Sequence, residues 1–265
     1  MLFFACPVCH EPLEAIINQF RCVNGHHFDR AKEGYINLLL ANQKKSHDPG
    51  DNRVMIQARR RFLDAGYYRS LLDTVNAMMI HVSADAVALD IGCGEGYYIG
   101  QLDQKLCFGV DISKDAIRYA AKRYTEVEFA VASVKRLPVL DQSVDLALNI
   151  FAPLDVPEII RIIRPNGIVI KIRPGEKHLF ELRKLLYEQP QMHDASAMAG
   201  LDGLTQIRSE KLCYSVQITR PDHIQDLMQM TPYYWHVTEE KHDLVKNLEQ
   251  IHITVDFQID VYQMS

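Results

Sequence analysis

The sequence predicts an α/β fold: a parallel, doubly wound sheet with an antiparallel pair at its C-terminal edge and a small module at its N-terminus. Three observations carry that expectation. From Val87 to Ile172 short apolar runs alternate with amphipathic stretches, the pattern of strands joined by crossover helices. Further on the period changes, because Leu212 to Thr219 and Ile251 to Tyr262 alternate apolar and polar residues as strands with one covered face do. Cys6, Cys9, Cys22 and His26 crowd the start of the chain, in a segment with too little apolar material for a core of its own.

With 265 residues, 48% hydrophobic and 24% charged, the chain has material for one full α/β domain plus an appendage. No run of eighteen apolar residues suggests a membrane span. The opening Met-Leu-Phe-Phe-Ala has no basic flank and is too short for a secretory signal, so a cytoplasmic location is expected. A net charge of −5 argues against a general nucleic-acid binder. Locally the balance reverses: Lys44, Lys45, Arg53, Arg59, Arg60 and Arg61 face only Asp48 and Asp51, a balance of +4. Such a stretch can meet phosphates, or it can be a solvated helix face with its preceding loop. Cys93, Cys107 and Cys213 lie in apolar segments and read as reduced core thiols.

Taken in order, the first element is the N-terminal module, residues 1–34. Two residues separate Cys6 from Cys9, twelve separate Cys9 from Cys22, and three separate Cys22 from His26. Three thiolates and an imidazole at that spacing suit one tetrahedral structural Zn²⁺ per chain. Zinc contributes on the order of 10 kcal/mol to the folding of small modules. A redox pair of Cys6 and Cys9 is the rival reading, and His27 is an alternative fourth ligand, although spacing favours His26. A helical lead-in, 35–84, follows. Its polar loop Asn42 to Asn52 reads as a hinge, and helices are expected from Arg53 to Ala65 and from Arg69 to His81. Tyr68 falls between them, near a pocket or in half-buried packing.

The core, 85–265, opens on Val87-Ala88-Leu89-Asp90 and the glycines at 92, 94 and 96, a strand followed by a loop that lets main chain press against a ligand. A helix over 97–104 is expected to offer free N–H groups at its start. Then come strand 107–111, helix 113–123, strands 127–131 and 144–151, a turn at Arg164-Pro165-Asn166-Gly167, and strand 167–172. Asp111, ending the second strand, is placed to accept hydrogen bonds from ribose hydroxyls.

Asp90-x-Gly92-x-Gly94-x-Gly96 with Asp111 resembles the cofactor site of class I, Rossmann-like S-adenosylmethionine-dependent methyltransferases. In that reading the glycines line the methionine part and Ala132-Ser133 neighbours the adenine. The acceptor arrives at Asn149-Ile150-Phe151-Ala152-Pro153. That run lacks the second proline of enzymes that methylate exocyclic amino groups of bases, and no cysteine adjoins the proline as cytosine C5 chemistry would need. Phe151, Tyr97 and Tyr35 are candidate stacking surfaces for an unstacked base, or ordinary core.

The ribbon, together with 31–39, 48–51, 58–68, 90–98, 174–179 and 230–232, resembles the RlmA family of 23S rRNA guanine-N1 methyltransferases. The resemblance implies S-adenosylmethionine as cofactor, a guanine (745) in hairpin 35 of 23S rRNA as substrate, and a homodimer whose zinc modules help hold RNA. It also implies that Tyr68 and His178 touch the cofactor. The expected cofactor set is then Tyr68, Asp90, Gly92, Gly94, Glu95, Gly96, Tyr97, Asp111, Ser133 and His178, with Arg59, Arg60 and Arg61 meeting RNA phosphates. Rival readings are a methyltransferase for guanine 748, one for a small molecule, or a non-catalytic zinc-ribbon RNA-binding protein. The residues do not identify what takes the N1 proton.

Overall fold

The computed structural model describes residues 3–43, 50–79, 82–193 and 201–265, so Lys44, Lys45 and Asp48 of the basic stretch, and the end of the helix expected to reach His81, lie outside the described residues. A three-stranded antiparallel sheet comes first, β1 (Glu14–Ile16), β2 (Gln19–Arg21) and β3 (His27–Asp29). An eight-stranded sheet follows. Its strands are β4 (Ile36–Asn37), β5 (Val87–Ile91), β6 (Leu106–Asp111), β7 (Glu128–Val131), β8 (Val144–Ile150), β9 (Ile163–Pro174), β10 (Leu204–Ile218) and β11 (Ile251–Met264), in the spatial order β10-β11-β9-β8-β5-β6-β7-β4. β4 to β9 pair in parallel, and β11 joins β9 and β10 antiparallel at the edge.

The order reverses at β5: β6 and β7 lie to one side of it, β8 and β9 to the other. Loops leaving β5 and β8 therefore diverge and open a crevice at the carboxyl ends of the strands, where such sheets bind ligands. Both faces are covered. Val87, Leu89 and Ile91 face one core with Val110, Ala147 and Val169, while Ala88 faces the other with Leu146, Leu148 and Ile170. This explains why these strands read as continuous apolar runs.

Helices α1 (Arg53–Asp64), α2 (Arg69–Met78), α3 (Lys114–Arg123), α4 (Val156–Ile162), α5 (Phe180–Leu186), α6 (Pro221–Gln229) and α7 (Glu239–Lys246) complete the chain. Side-chain caps fix three of their starts: Asn52 accepts from Met55 N, Ser113 from Ala116 N, and Asp155 from Glu158 N. Phe3 and Phe4 tie the small sheet to the large one. Phe3 stacks on Phe108 of β6 with centroids 3.6 Å apart, and Phe4 meets Phe20 of β2 edge-on at 6.3 Å. Among the described residues no helix is long and apolar enough to cross a membrane.

Four expectations need correction. Residues 97–104 are not a helix; after the Tyr97-Tyr98 turn a single 3-10 turn, Ile99–Gln101, leads straight to an extended Leu102. Gly96 and Gly100 both disfavour helix, and a Cβ on Gly100 would lie 2.3 Å from the Tyr124 ring that packs there. The expected helix N-terminus is therefore missing. Arg164 to Gly167 is a bulge inside β9, not a turn before it: Val144 pairs with Ile163 and Leu146 with Ile168, with Asn166 left-handed at φ 64°. β10 begins at Leu204 rather than Leu212. Cys213 is exposed, because Leu212, Tyr214 and Val216 take the covered face of this edge strand.

Candidate cofactor cleft and metal centre

Two turns of the N-terminal module converge. His10 N donates to Cys6 O across the first and Gly25 N to Cys22 O across the second, with His10 and Gly25 both at positive φ. They bring the Sγ atoms of Cys6, Cys9 and Cys22 and Nδ1 of His26 within 4.8 Å of one another. Nδ1 lies 3.5, 3.4 and 3.3 Å from the three sulfurs, and Cys9 Sγ lies 3.7 Å from Cys22 Sγ. Tetrahedral zinc with its usual bond lengths spaces such ligands roughly 3.4–3.8 Å apart, so the donor set fits the ion. His27 is exposed on β3 and does not join the cluster. Arg136, which lines the main cleft, donates to Nε2 of His10 at 2.7 Å and so joins the first zinc turn to the cleft's lip.

That cleft has a volume of about 1060 Å³ and opens at the switch point between β5 and β8. One half is built on the glycine loop. Gly92, Gly94 and Gly96 all have positive φ, and a Cβ on Gly92 would lie 2.3 Å from Ala152 Cβ. Gly92 thus cannot carry a side chain while the loop closes against the Phe151-Ala152-Pro153 turn. Asp111 is fixed by two main-chain donors, Gly94 N at 2.9 Å and Ser113 N at 2.8 Å. Asp90 lies beneath, buried, with Oδ1 unpartnered; burial, then the neighbouring Asp111, pushes its carboxyl up to about 8. Glu95 is buried too, and neither carboxylate oxygen accepts a hydrogen bond. Its nearest cation is Arg60 Nε at 3.9 Å, and burial pushes Glu95 up to about 7. A buried carboxylate short of donors, beside a main-chain cradle, is what the ammonium of an amino-acid ligand would satisfy, so the residues fit S-adenosylmethionine.

The raised Asp90 pKa has a measurable consequence. Between about pH 3.8 and about pH 8 the folded chain keeps a proton that the unfolded chain releases, so this group's contribution to stability declines as pH rises. The slope is at most about 1.4 kcal/mol per pH unit. Asp90→Asn is expected to flatten the fall in unfolding midpoint between about pH 5 and about pH 8. Differential scanning fluorimetry of the ligand-free protein checks this, and equal slopes in the two proteins would refute it.

The other half of the cleft faces the ends of β8 and β9. Tyr68, at the N-terminus of α2, is buried, with its hydroxyl 3.3 Å from Nε2 of His178. Asp256 N–H donates to Nδ1 of His178 at 3.3 Å, so Nε2 carries the proton and donates to Tyr68. Burial holds that ring neutral, with its pKa pushed down to about 3. Phe151 sits at φ 57°, strained backbone for a bulky residue, and is 41% exposed at the cleft. Asn149 Nδ2 donates to Ile91 O and Pro153 O and pins the turn.

The structure brings Tyr68, Asp90, Gly92, Gly94, Glu95, Tyr97, Asp111, Ser133 and His178 to this one cleft, and Gly96 directly behind it against Phe129. Tyr35 is 5% exposed in the core and does not line it. Of the three arginines, Arg59 reaches into the cleft paired with Asp51 at 2.5 Å, Arg60 lies between Asp64 and Glu95, and Arg61 is bound bidentately by Asp226 of α6. Sequence reasoning missed Asp51, His193 and Tyr233, which chain crossings far from the glycine loop deliver to the lining. Asp256 gave no signal in the sequence, since it occupies a polar position of the alternating β11 strand, yet it is 0% exposed.

Comparison with known proteins follows the same division. Residues 4–47 match the family described as the RlmA N-terminal zinc ribbon, and residues 88–167 match a methyltransferase domain family. The chain is 31% identical over 273 residues to YxjB of Bacillus subtilis (strain 168), covering 97% of this chain and 95% of that protein, whose name assigns it provisionally as a 23S rRNA (guanine-N(1)-)-methyltransferase. A Micromonospora griseorubida protein with the same provisional assignment is 31% identical over 87% of this chain and 86% of its own length. The 23S rRNA (guanine(748)-N(1))-methyltransferase of Streptomyces fradiae is 36% identical over 188 residues, covering 68% of this chain and 66% of that protein.

Proposed function

The chain belongs to the RlmA family of zinc-ribbon 23S rRNA (guanine-N1)-methyltransferases, S-adenosylmethionine-dependent enzymes, and on that premise we propose that it methylates N1 of guanine 745 in the loop of hairpin 35. We infer further that it acts as a cytoplasmic homodimer. The observation that carries the reading is the junction of the two parts: the Cys₃His turn touches, through His10 and Arg136, the lip of a cleft built on the glycine loop. RNA held by the ribbon would lie beside this cleft, into which a base can turn. The assignment to position 745 rests on overall likeness to the family along the whole chain.

When bound, the cofactor supplies a methyl carbon made electrophilic by its sulfonium. The chain's own residues do the rest by positioning. Main chain of the glycine loop would hold the ligand, the loop lying close to the Phe151-Ala152-Pro153 turn because Gly92 has no side chain to strike Ala152, and Asp111, locked by two N–H groups, presents its remaining lone pairs to hydroxyls. Glu95 offers its unsatisfied carboxylate to an ammonium. The exposed Phe151 ring gives an unstacked guanine a surface, and Tyr68, already accepting from His178, has its own proton free to donate into the cleft. Arginines 59 to 61 are assigned to the RNA backbone; Arg59 and Arg60 are those on the cleft side of α1.

Reverse transcription across 23S rRNA from a strain lacking the modification, after incubation with enzyme and S-adenosylmethionine, tests the position. N1 methylation blocks the Watson–Crick edge, so an arrest at guanine 745 is expected. An arrest at 748 would overturn the position and keep the atom.

A further inference from the structure

Resting on the guanine-N1 reading, we propose that His193 is the catalytic base that takes the N1 proton, oriented for this by Tyr233. Guanine N1 carries a proton and is a weak nucleophile until that proton leaves, so the acceptor half of the cleft needs a base. The cleft's other histidine and its carboxylates are committed or lie elsewhere in it. Both ring nitrogens of His178 are committed, to Asp256 N and to Tyr68, and the ring is buried. Burial pushes the Tyr68 phenol far above its ordinary value. Asp90, Glu95 and Asp111 belong to the glycine-loop half, and Asp51 is held by Arg59.

His193 lines the acceptor half, half-buried, its ring 6.3 Å from that of His178. Its backbone is fixed. His193 N donates to Glu176 O at 3.2 Å, and the buried Arg183 guanidinium donates to the carbonyls of Gln191, Glu176 and His178. Nε2 lies 3.3 Å from Tyr233 Oη. With Nε2–H donating to that oxygen, Nδ1 is left with its lone pair, the arrangement of a base held by a third group.

The charged groups around it favour the neutral ring. Burial and then Arg183 of α5 push its pKa below the ordinary histidine value, against the smaller opposing pull of Asp256 of β11. His178 is neutral, and Tyr233 is a phenol whose own pKa burial raises. At neutral pH the ring can therefore accept. In the step, the N1–H bond breaks with its electron pair retained on guanine and the proton passing to Nδ1. That pair forms the N1–C bond while the C–S bond breaks with its pair on sulfur, and solvent then takes the proton from His193.

The test is single-turnover methyl transfer by the full-length protein across pH, on 23S rRNA fragments carrying guanine or 6-thioguanine at the target, with RNA and S-adenosylhomocysteine affinities measured alongside. The N1 proton of 6-thioguanine is the more acidic. His193→Gln, which keeps the hydrogen bond to Tyr233, is expected to lower the rate about a hundredfold or more at neutral pH. Both affinities should stay unchanged, the deficit should shrink as pH rises, and it should be smaller on 6-thioguanine. Tyr233→Phe should give a smaller loss with a displaced acid limb. A loss equal at every pH and on both bases, or one lying wholly in RNA or cofactor affinity, overturns the role of His193 and leaves the function standing. Failure of the wild-type protein to form N1-methylguanine withdraws both.

Discussion

Cys22→Ser is expected to release the zinc ion, disorder the N-terminal sheet and abolish methylation of rRNA, while binding of S-adenosylhomocysteine persists. Cys22 lies 3.7 Å from Cys9 Sγ and 3.3 Å from His26 Nδ1, so its loss opens the donor set on two sides. The three strands of this module are three residues each and bury only Phe20, with Phe3, Phe4 and Leu13 buried beside them. Nothing in that inventory replaces a metal contribution on the order of 10 kcal/mol. The glycine-loop half of the cleft, by contrast, stands on β5 and β6, whose pairing does not involve the ribbon. Zinc stoichiometry, hydrogen exchange over residues 13–29 and a cofactor titration check the three parts. A variant that keeps one zinc per chain and a protected ribbon would refute the assignment of Cys22.

Gly92→Ala should be strongly damaging, because a positive φ and a collision coincide at this residue. At φ 77° the alanine is strained by about 1–2 kcal/mol, and its Cβ would stand 2.3 Å from Ala152 Cβ, a collision of the kind that costs roughly 1–3 kcal/mol. If the loop backs away to relieve this, affinity for S-adenosylhomocysteine should fall roughly thirtyfold or more. If the loop holds its place, the same energy appears as a lowered unfolding midpoint. The double variant Gly92→Ala/Ala152→Gly removes the collision but not the backbone strain, and should recover part of the loss. Wild-type affinity and stability in Gly92→Ala would mean that this loop does not close on its ligand.

The parallel core was legible because strands buried on both faces must be largely apolar, as β5 and β8 are apart from Asp90, Asp145 and Asn149, and because amphipathic stretches separate them. Zinc ligation was legible for a related reason, since few spacings let four side chains surround one ion. The helix expected at 97–104 fails because Gly96 and Gly100, two poor helix formers, fall at its start and middle, and the Tyr124 ring fills the space a Gly100 side chain would take. The long β9 was misread because its bulge at Arg164 to Gly167 uses the residues of a turn. Within the cleft, the glycine motif, Asp111, Tyr68, Ser133 and His178 were named from the sequence, and Asp51, His193 and Tyr233 were not. His193 and Tyr233 carry no local pattern; the hydrogen bonds of Arg183 and the packing of the segment after α6 deliver them.

The account's central claim is that this cleft transfers a methyl group to N1 of a guanine in 23S rRNA. The direct measurement is to incubate the protein with methyl-labelled S-adenosylmethionine and 23S rRNA lacking the modification, digest the RNA to nucleosides and identify the labelled species. Label in N1-methylguanosine alone is the predicted result. Label in another nucleoside, or in small metabolites with none in RNA, would contradict it.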